Sequence, residues 1–329
     1  MKLTPLLCFA LLSGGYSGML QAACALPASS ASFGSVTSFT VNAAASTSST
    51  TANVNCGSGS TLALLSNNNI TLQLASASGV AGNRGALTRA GDTSGDRIPV
   101  QLCTTANCAT EMTIGATPIT YSSSQLLNLI GLLGGLNFSV PLYLRTLPGQ
   151  VVAAGNYSLT LNLAVTYRIC TGIAALGICL AGQDQNGSGT IPITLSLTIT
   201  NDCTTITAPN VSFGSAPLVS GFSSVSQSIN VVCTKGSSYT VGLSNGSHAS
   251  GSVRNMANGA SLLSYEIYKG STSNRWGPAG SERQSSANAT TVSSDGLTRT
   301  FPYTARILTT QNTPPAGNYT DSVVVDLSF

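Results

Sequence analysis

The chain has 329 residues and a formal charge of +3, with 7% charged residues, 6% aromatic residues and 34 glycines. Ser, Thr, Gly and Asn are weak helix formers, so this composition argues against a helical protein. Short alternating runs of Thr, Val and Ile favour strands instead. Lys and Arg are scattered and form no basic stripe, which argues against nucleic-acid binding.

Residues 1–23 read as a secretory signal. Lys2 gives a positive start, residues 6–12 form a short apolar run, and Ala22 and Ala23 supply small residues before the cut. The run is too short to span a bilayer. Cys24 after two alanines would suit a lipoprotein, but Gln21 stands where leucine is expected. Export is predicted. Removing the signal also removes Cys8 and leaves Cys24, Cys56, Cys103, Cys108, Cys170, Cys179, Cys203 and Cys233. An even count in an exported chain favours disulfides over metal ligation. With one histidine, His248, and no C-x-x-C spacing, neither a metal nor a cofactor is expected.

From Cys24 onward the chain repeats itself. "CALPASSASFGS" with "NVNC" ending at Cys56 matches "CTTITAPNVSFGS" with "NVVC" ending at Cys233. Arg84 corresponds to Arg254, Pro141 and Arg145 to Pro302 and Arg306, and "GNYSLTLNLAVTY" from Gly155 to "GNYTDSVVVDLSF" from Gly317. The order of landmarks marks a duplication, with domains at 24–200 and 201–329. It implies disulfides Cys24–Cys56 and Cys203–Cys233, leaving Cys103–Cys108 and Cys170–Cys179 as loop staples private to the first copy. Tyr157, Leu159, Leu161, Leu163, Val165 and Tyr167 share one face of a strand. Several such strands predict an all-β protein of two immunoglobulin-like sandwiches in tandem.

Residues 125–144, "QLLNLIGLLGGLNFSVPLYL", are the one oily stretch in a polar chain. Asn128, Asn137 and several glycines interrupt it and Pro141 follows, which argues against a membrane span. Relative to the second copy, residues 126–138 are an insertion, and Gly131, Gly134 and Gly135 suit tight turns. A protruding finger is expected, with Leu126, Leu127, Leu129, Ile130, Leu132, Leu133, Leu136 and Phe138 as surface-binding residues. The loop closed by Cys170 and Cys179 adds Ile173, Leu176, Ile178 and Leu180, held in shape by its staple. If the insertion reaches the end of the sandwich that carries this loop, the two form one apolar tip. The competing reading is that both fold inward as extra core.

Residues 190–200, "TIPITLSLTIT", alternate strictly and have no counterpart after Phe329, which aligns with Tyr167. The second sandwich is therefore expected to lack its last strand and to expose a groove with an unpaired edge. Such an edge accepts a strand from another chain. Val323, Val325, Leu327 and Phe329 are the expected contacts for a chaperone or donor strand. A signal cut near Ala23 leaves almost nothing before Cys24, so the mature chain is expected to accept a strand and donate none, as a terminal subunit would. The bland alternative is a shorter but complete second sandwich. No enzyme is expected: His248 lies in a loop-like context, and Asp92 and Asp96 read as turn residues.

"LLSYEIYKGSTSNRWG" at 262–277, the Cys203/Cys233 pair and the closing "PAGNYTDSVVVDLSF" resemble the spore coat protein U domain. That family includes subunits of archaic chaperone–usher pili, and two such domains without a donor extension resemble the two-domain tip adhesin of Csu-type pili. The first copy keeps the cysteines, Phe33-Gly34-Ser35 and Gly155-Asn156-Tyr157 but has no Trp-Gly equivalent. The resemblance implies a surface-binding N-terminal domain and display on a pilus tip. It also implies three kinds of partner: a periplasmic chaperone, an outer-membrane usher and the next subunit's donor strand. Two other functions compete: a tip lectin using Arg84, Arg89 and Asp92, and a coat protein assembling without a chaperone.

Overall fold

The computed structural model describes residues 23–57, 62–63, 66–130, 136–171, 174–175, 178–179 and 184–329. The expected signal at 1–23 lies outside them except for Ala23. Two separate hydrophobic cores form, one from residues between Cys24 and Ile199 and one from residues between Val219 and Ile307.

In the first half, one sheet is built around two long strands. Strand β1 is Ser29–Thr37, β2 is Thr47–Asn55 and β3 is Asn69–Ala77. Strand β4 is Arg84–Arg89, β5 is Ile98–Cys103, β6 is Ile119–Ser122 and β7 is Asn137–Thr146. Strands β8, Gly155–Cys170, and β9, Asp184–Thr200, are the two long ones. The order β1-β9-β8-β3-β6 makes one face, and β2-β7-β5-β4 makes the other, joined where β4 meets β8 at Tyr157 and Arg89.

The alternation read from the sequence is what buries the core. Tyr157, Leu159, Leu161, Leu163, Val165 and Tyr167 are all buried, as are Ile191, Ile193, Leu195, Leu197 and Ile199 of β9. Successive strand residues point to opposite faces, so a period of two delivers all of them inward. Strand β9 lies between two neighbours, parallel to β1 and antiparallel to β8, with Leu195 opposite both Ala31 and Leu159.

In the second half, β10 is Cys203–Thr207, β11 is Val225–Cys233, β12 is Thr240–Leu243, β13 is Arg254–Asn258 and β14 is Ser261–Lys269. Strand β15 is Thr298–Ile307 and β16 is Val325–Ser328. The sheet order is β10-β11-β15-β14-β13, facing a smaller sheet that contains β12 and β16. Trp276 is fully buried and donates to the Val241 carbonyl at 2.9 Å. Arg254, also fully buried, pairs with Glu266 and donates to the carbonyls of Ser244 and Trp276. A buried guanidinium is tolerable only when its donors are satisfied in this way.

All four expected disulfides form: Cys24–Cys56 and Cys203–Cys233, implied by the duplication, and Cys103–Cys108 and Cys170–Cys179, the staples private to the first copy. The halves meet at a polar joint. Lys235 Nζ lies 2.6 Å from an Asp96 carboxylate oxygen, whose partner oxygen accepts the Ala153 N–H at 2.8 Å. Ser38 and Thr234 share a buried hydroxyl–hydroxyl bond at 2.9 Å, and Thr234 also accepts from the Asp202 N–H. Asp96, read from sequence as a turn residue, is thus a buried anchor of the joint.

Candidate functional site: an apolar pole and an open groove

Strand β8 runs from the joint to the far end of the first half. Gly155 lies two residues after Ala153, whose N–H donates to Asp96, while Cys170 at the other end accepts from the Ala63 N–H and donates its own N–H to Asn68 Oδ1 at 2.7 Å. Sixteen residues of strand span roughly 50 Å. The described flanks of both apolar segments gather at that far pole. The insertion returns there through Leu136, which exchanges backbone bonds with Cys56 and Gly57, and the Cys170–Cys179 loop leaves from the end of β8. Ser123, three residues before the insertion, donates to the Ser66 carbonyl. The described flanks of the two segments therefore share one end.

A third segment reaches the same pole and was not singled out in the sequence. Residues 57–68, "GSGSTLALLSNN", leave from Cys56 and return through Asn68, whose amide donates to Ala63. The available signal was Leu62, Leu64 and Leu65 directly after the first domain disulfide.

The expected contact residues divide. Leu127 is 46% exposed and Ile178 61% exposed. Leu129 and Ile130 are half-buried against the first core. Leu126, Leu136 and Phe138 are corrected: all three are core residues. Leu126 occupies the inner face of a short helix, Ser123–Leu127, and Phe138 belongs to the inward set of β7 with Val140 and Leu142. Leu136 closes the top of the sandwich beside Cys56. The insertion is thus rooted in the core at both ends. Leu132, Leu133, Ile173, Leu176 and Leu180 lie outside the described residues.

The polar residues weighed for sugar binding are committed elsewhere. Arg84 is paired with Glu111 at 2.5 Å, and Arg89 with Asp92 at 2.9 Å near the joint. Two hydrogen bonds from Ser94 and one from Arg89 hold the Asp92 carboxyl well below the usual carboxylate range.

The second half carries a groove. In the first half β9 fills the slot between β1 and β8. In the second, the corresponding segments are 209–217 and 317–329, and no strand among the described residues lies between them. Instead there are two hollows of about 320 Å³ and 570 Å³. They share Val211, Phe213, Met256, Tyr319 and Thr320 and so form one trough. Val323 and Val325, expected contacts, line it. Leu327 pairs with Val241 on its flank, and Phe329 is 65% exposed and stacks edge-on against Tyr239.

An all-β chain of two sandwiches, one filled by its own last strand and one grooved where that strand would lie, has the architecture of a pilus subunit pair. The Spore Coat Protein U domain model matches residues 15–164 and 189–326, and the chain belongs to that family. Among solved structures, it is similar to the chaperone–tip adhesion subunit pre-assembly complex CsuC–CsuE of the archaic chaperone–usher Csu pili of Acinetobacter baumannii. The identity is 26% and the TM-score 0.52, covering 93% of this chain and 100% of that one. The CupB6 tip adhesin of Pseudomonas aeruginosa matches at 14% identity and TM-score 0.36, covering 86% of each chain. CfaE, the adhesive subunit of the CFA/I fimbria of enterotoxigenic Escherichia coli, matches at 14% identity and TM-score 0.35, covering 91% of this chain and 92% of that one. Comparison with curated proteins gives no match. The chain is homologous to chaperone–usher pilus tip adhesins, which are adhesive subunits and not enzymes.

Proposed function

We propose that this protein is the tip adhesin of an archaic chaperone–usher pilus and that it attaches cells to apolar surfaces, promoting biofilm formation. The N-terminal half contacts the surface. The C-terminal half is held first by a periplasmic chaperone and then, after transfer at an outer-membrane usher, by the donor strand of the next subunit. The domains are 24–200 and 201–329, the protein is exported by its signal, and it is displayed at the pilus tip.

The observation that carries this reading is the polarity of the molecule. Three apolar segments are rooted at the pole farthest from the joint, while the groove lies beyond the joint. The repeat also supplies a direction. By analogy with β9, an added strand runs parallel to 209–217 and antiparallel to 317–329. Its C-terminal end then leaves beside Gly317, at the opposite end from the Thr240–Ser328 pair, which lies a few residues along the chain from Lys235 and Gly236 at the joint. The body of the next subunit follows on that side and leaves the apolar pole free.

Each Leu or Ile pressed into an apolar contact contributes about 1.5–3 kcal/mol, against an association cost on the order of 4–15 kcal/mol. A few exposed side chains bind weakly alone, and many pili on one cell make attachment firm through avidity. The test is polar substitution in the apolar segments, Leu127→Ser with Ile178→Ser, Leu132→Ser and Leu176→Ser, in cells that still assemble pili. Adhesion to polystyrene is expected to fall to background. Undiminished adhesion, or adhesion abolished by free saccharide, would overturn the proposal.

A further inference from the structure

The rim of the groove departs from the repeat at one residue. In the first copy Leu159 of β8 packs inward opposite Leu195 of β9. Its counterpart in the second copy is Asp321. This carboxylate is almost completely buried, with 2% side-chain exposure, yet it lines an apolar trough. Buried charge is costly unless satisfied, and here it is satisfied. One oxygen accepts the Ser247 N–H at 2.8 Å and faces His248 Nδ1 at 3.1 Å, while the other accepts the Tyr265 hydroxyl at 2.8 Å. Tyr265 belongs to β14 in the opposite sheet, so the Asp321–Tyr265 bond ties the rim across the sandwich.

The rim needs such a tie. Strand β8 is laddered to β9 along its whole length, whereas its counterpart is laddered only from Val325 onward. Between 317 and 324 the backbone is held by the Thr320–Ala257 bridge, by the Val324 N–H donating to the Ser244 hydroxyl and the Ser244 N–H to the Val324 carbonyl, and by the Ser247 hydroxyl donating to the Ser322 carbonyl. The loop at 246–248 closes tightly over the carboxylate. Gly246 has φ +85°, and a Cβ there would collide with the Asp321 carboxylate.

We infer that Asp321 is a positioning residue for strand acceptance: by clasping Ser247, His248 and Tyr265 it holds the groove's rim in the shape that β9 imposes permanently on the first copy. The inference rests on the strand-accepting reading of the groove. An ordered rim shortens the search for register, because its ordering cost has been met before the strand arrives. Once the strand is laddered in, the new backbone bonds hold the rim and the clasp contributes little more.

The test uses the purified full chain and a synthetic peptide of residues 189–200, the protein's own β9 segment, with uptake followed by surface plasmon resonance. Asp321→Leu, which restores the residue type of the first copy, and Asp321→Ala remove all three contacts and are expected to slow association at least about tenfold, the effect of losing even one charge-assisted hydrogen bond. Dissociation should change less than twofold, and Asp321→Glu should recover part of the rate. Hydrogen exchange at 319–324 and Ser247 should speed up by a similar factor, and the unfolding midpoint should fall by no more than the few degrees that this loss accounts for. A merely structural role would lower the midpoint and leave association unchanged. Should the Asp321 variants fail to fold, Tyr265→Phe, which keeps the ring and removes the hydroxyl, is expected to slow association in the same direction. Equal association rates for wild type, Asp321→Leu and Tyr265→Phe overturn this inference alone. No uptake by the wild type overturns the groove reading together with it.

Discussion

Strand β9 completes the first sandwich, and Leu195→Ala measures how much. Leu195 is fully buried, in register with Ala31 on one side and Leu159 on the other. Truncating a buried leucine costs about 2–5 kcal/mol, depending on how far the surroundings relax into the space. For a domain of this size 1 kcal/mol moves the melting point by about 2–4 °C, so the expected drop is about 4–20 °C. The chain carries its own discriminator: its one tryptophan, Trp276, sits in the second core. Tryptophan fluorescence therefore follows the second half, and far-ultraviolet circular dichroism follows both. Leu195→Ala should shift the dichroism transition to lower temperature and leave the fluorescence transition in place. If Trp276 melts earlier by the same amount, the two cores do not unfold separately. If neither transition moves by more than about 0.5 kcal/mol equivalent, β9 is not the integral strand described.

Three other outcomes are expected. Leu127→Ser should leave stability within about 0.5 kcal/mol of wild type, as exposed sites usually do, while Leu126→Ser next to it should cost several times more in urea unfolding because its side chain is fully buried. At the joint, burial opposes ionisation of Asp96, but the bonds from Lys235 and the Ala153 N–H outweigh it and hold the carboxyl below its ordinary range. The stability it confers is then fully present above about pH 4 and is lost as pH falls through the lower, folded value. Lys235→Met should therefore move acid unfolding to higher pH, and an unchanged acid profile would remove Lys235 from the joint. Gly246→Ala should destabilise the second half, read by Trp276 fluorescence, because φ is positive there and the carboxylate leaves no space. A neutral effect would contradict the close packing of the 246–248 loop.

Much was legible in the sequence because its physics is local or periodic. A period of two in 157–167 and 191–199 says which side chains enter a core before any partner strand is known. The duplication made one half a template for the other, which paired Cys24 with Cys56 and Cys203 with Cys233. Tertiary structure decided what depends on residues far apart. Leu126, Leu136 and Phe138 are as oily as Leu127, and only the fold sends the first three inward, because hydropathy reports a preference for burial and not the space available. Asp96 and Asp321 read as a turn residue and a motif letter. Their partners, Lys235 and Tyr265, lie 139 and 56 residues away in the chain and come within bonding distance only after folding.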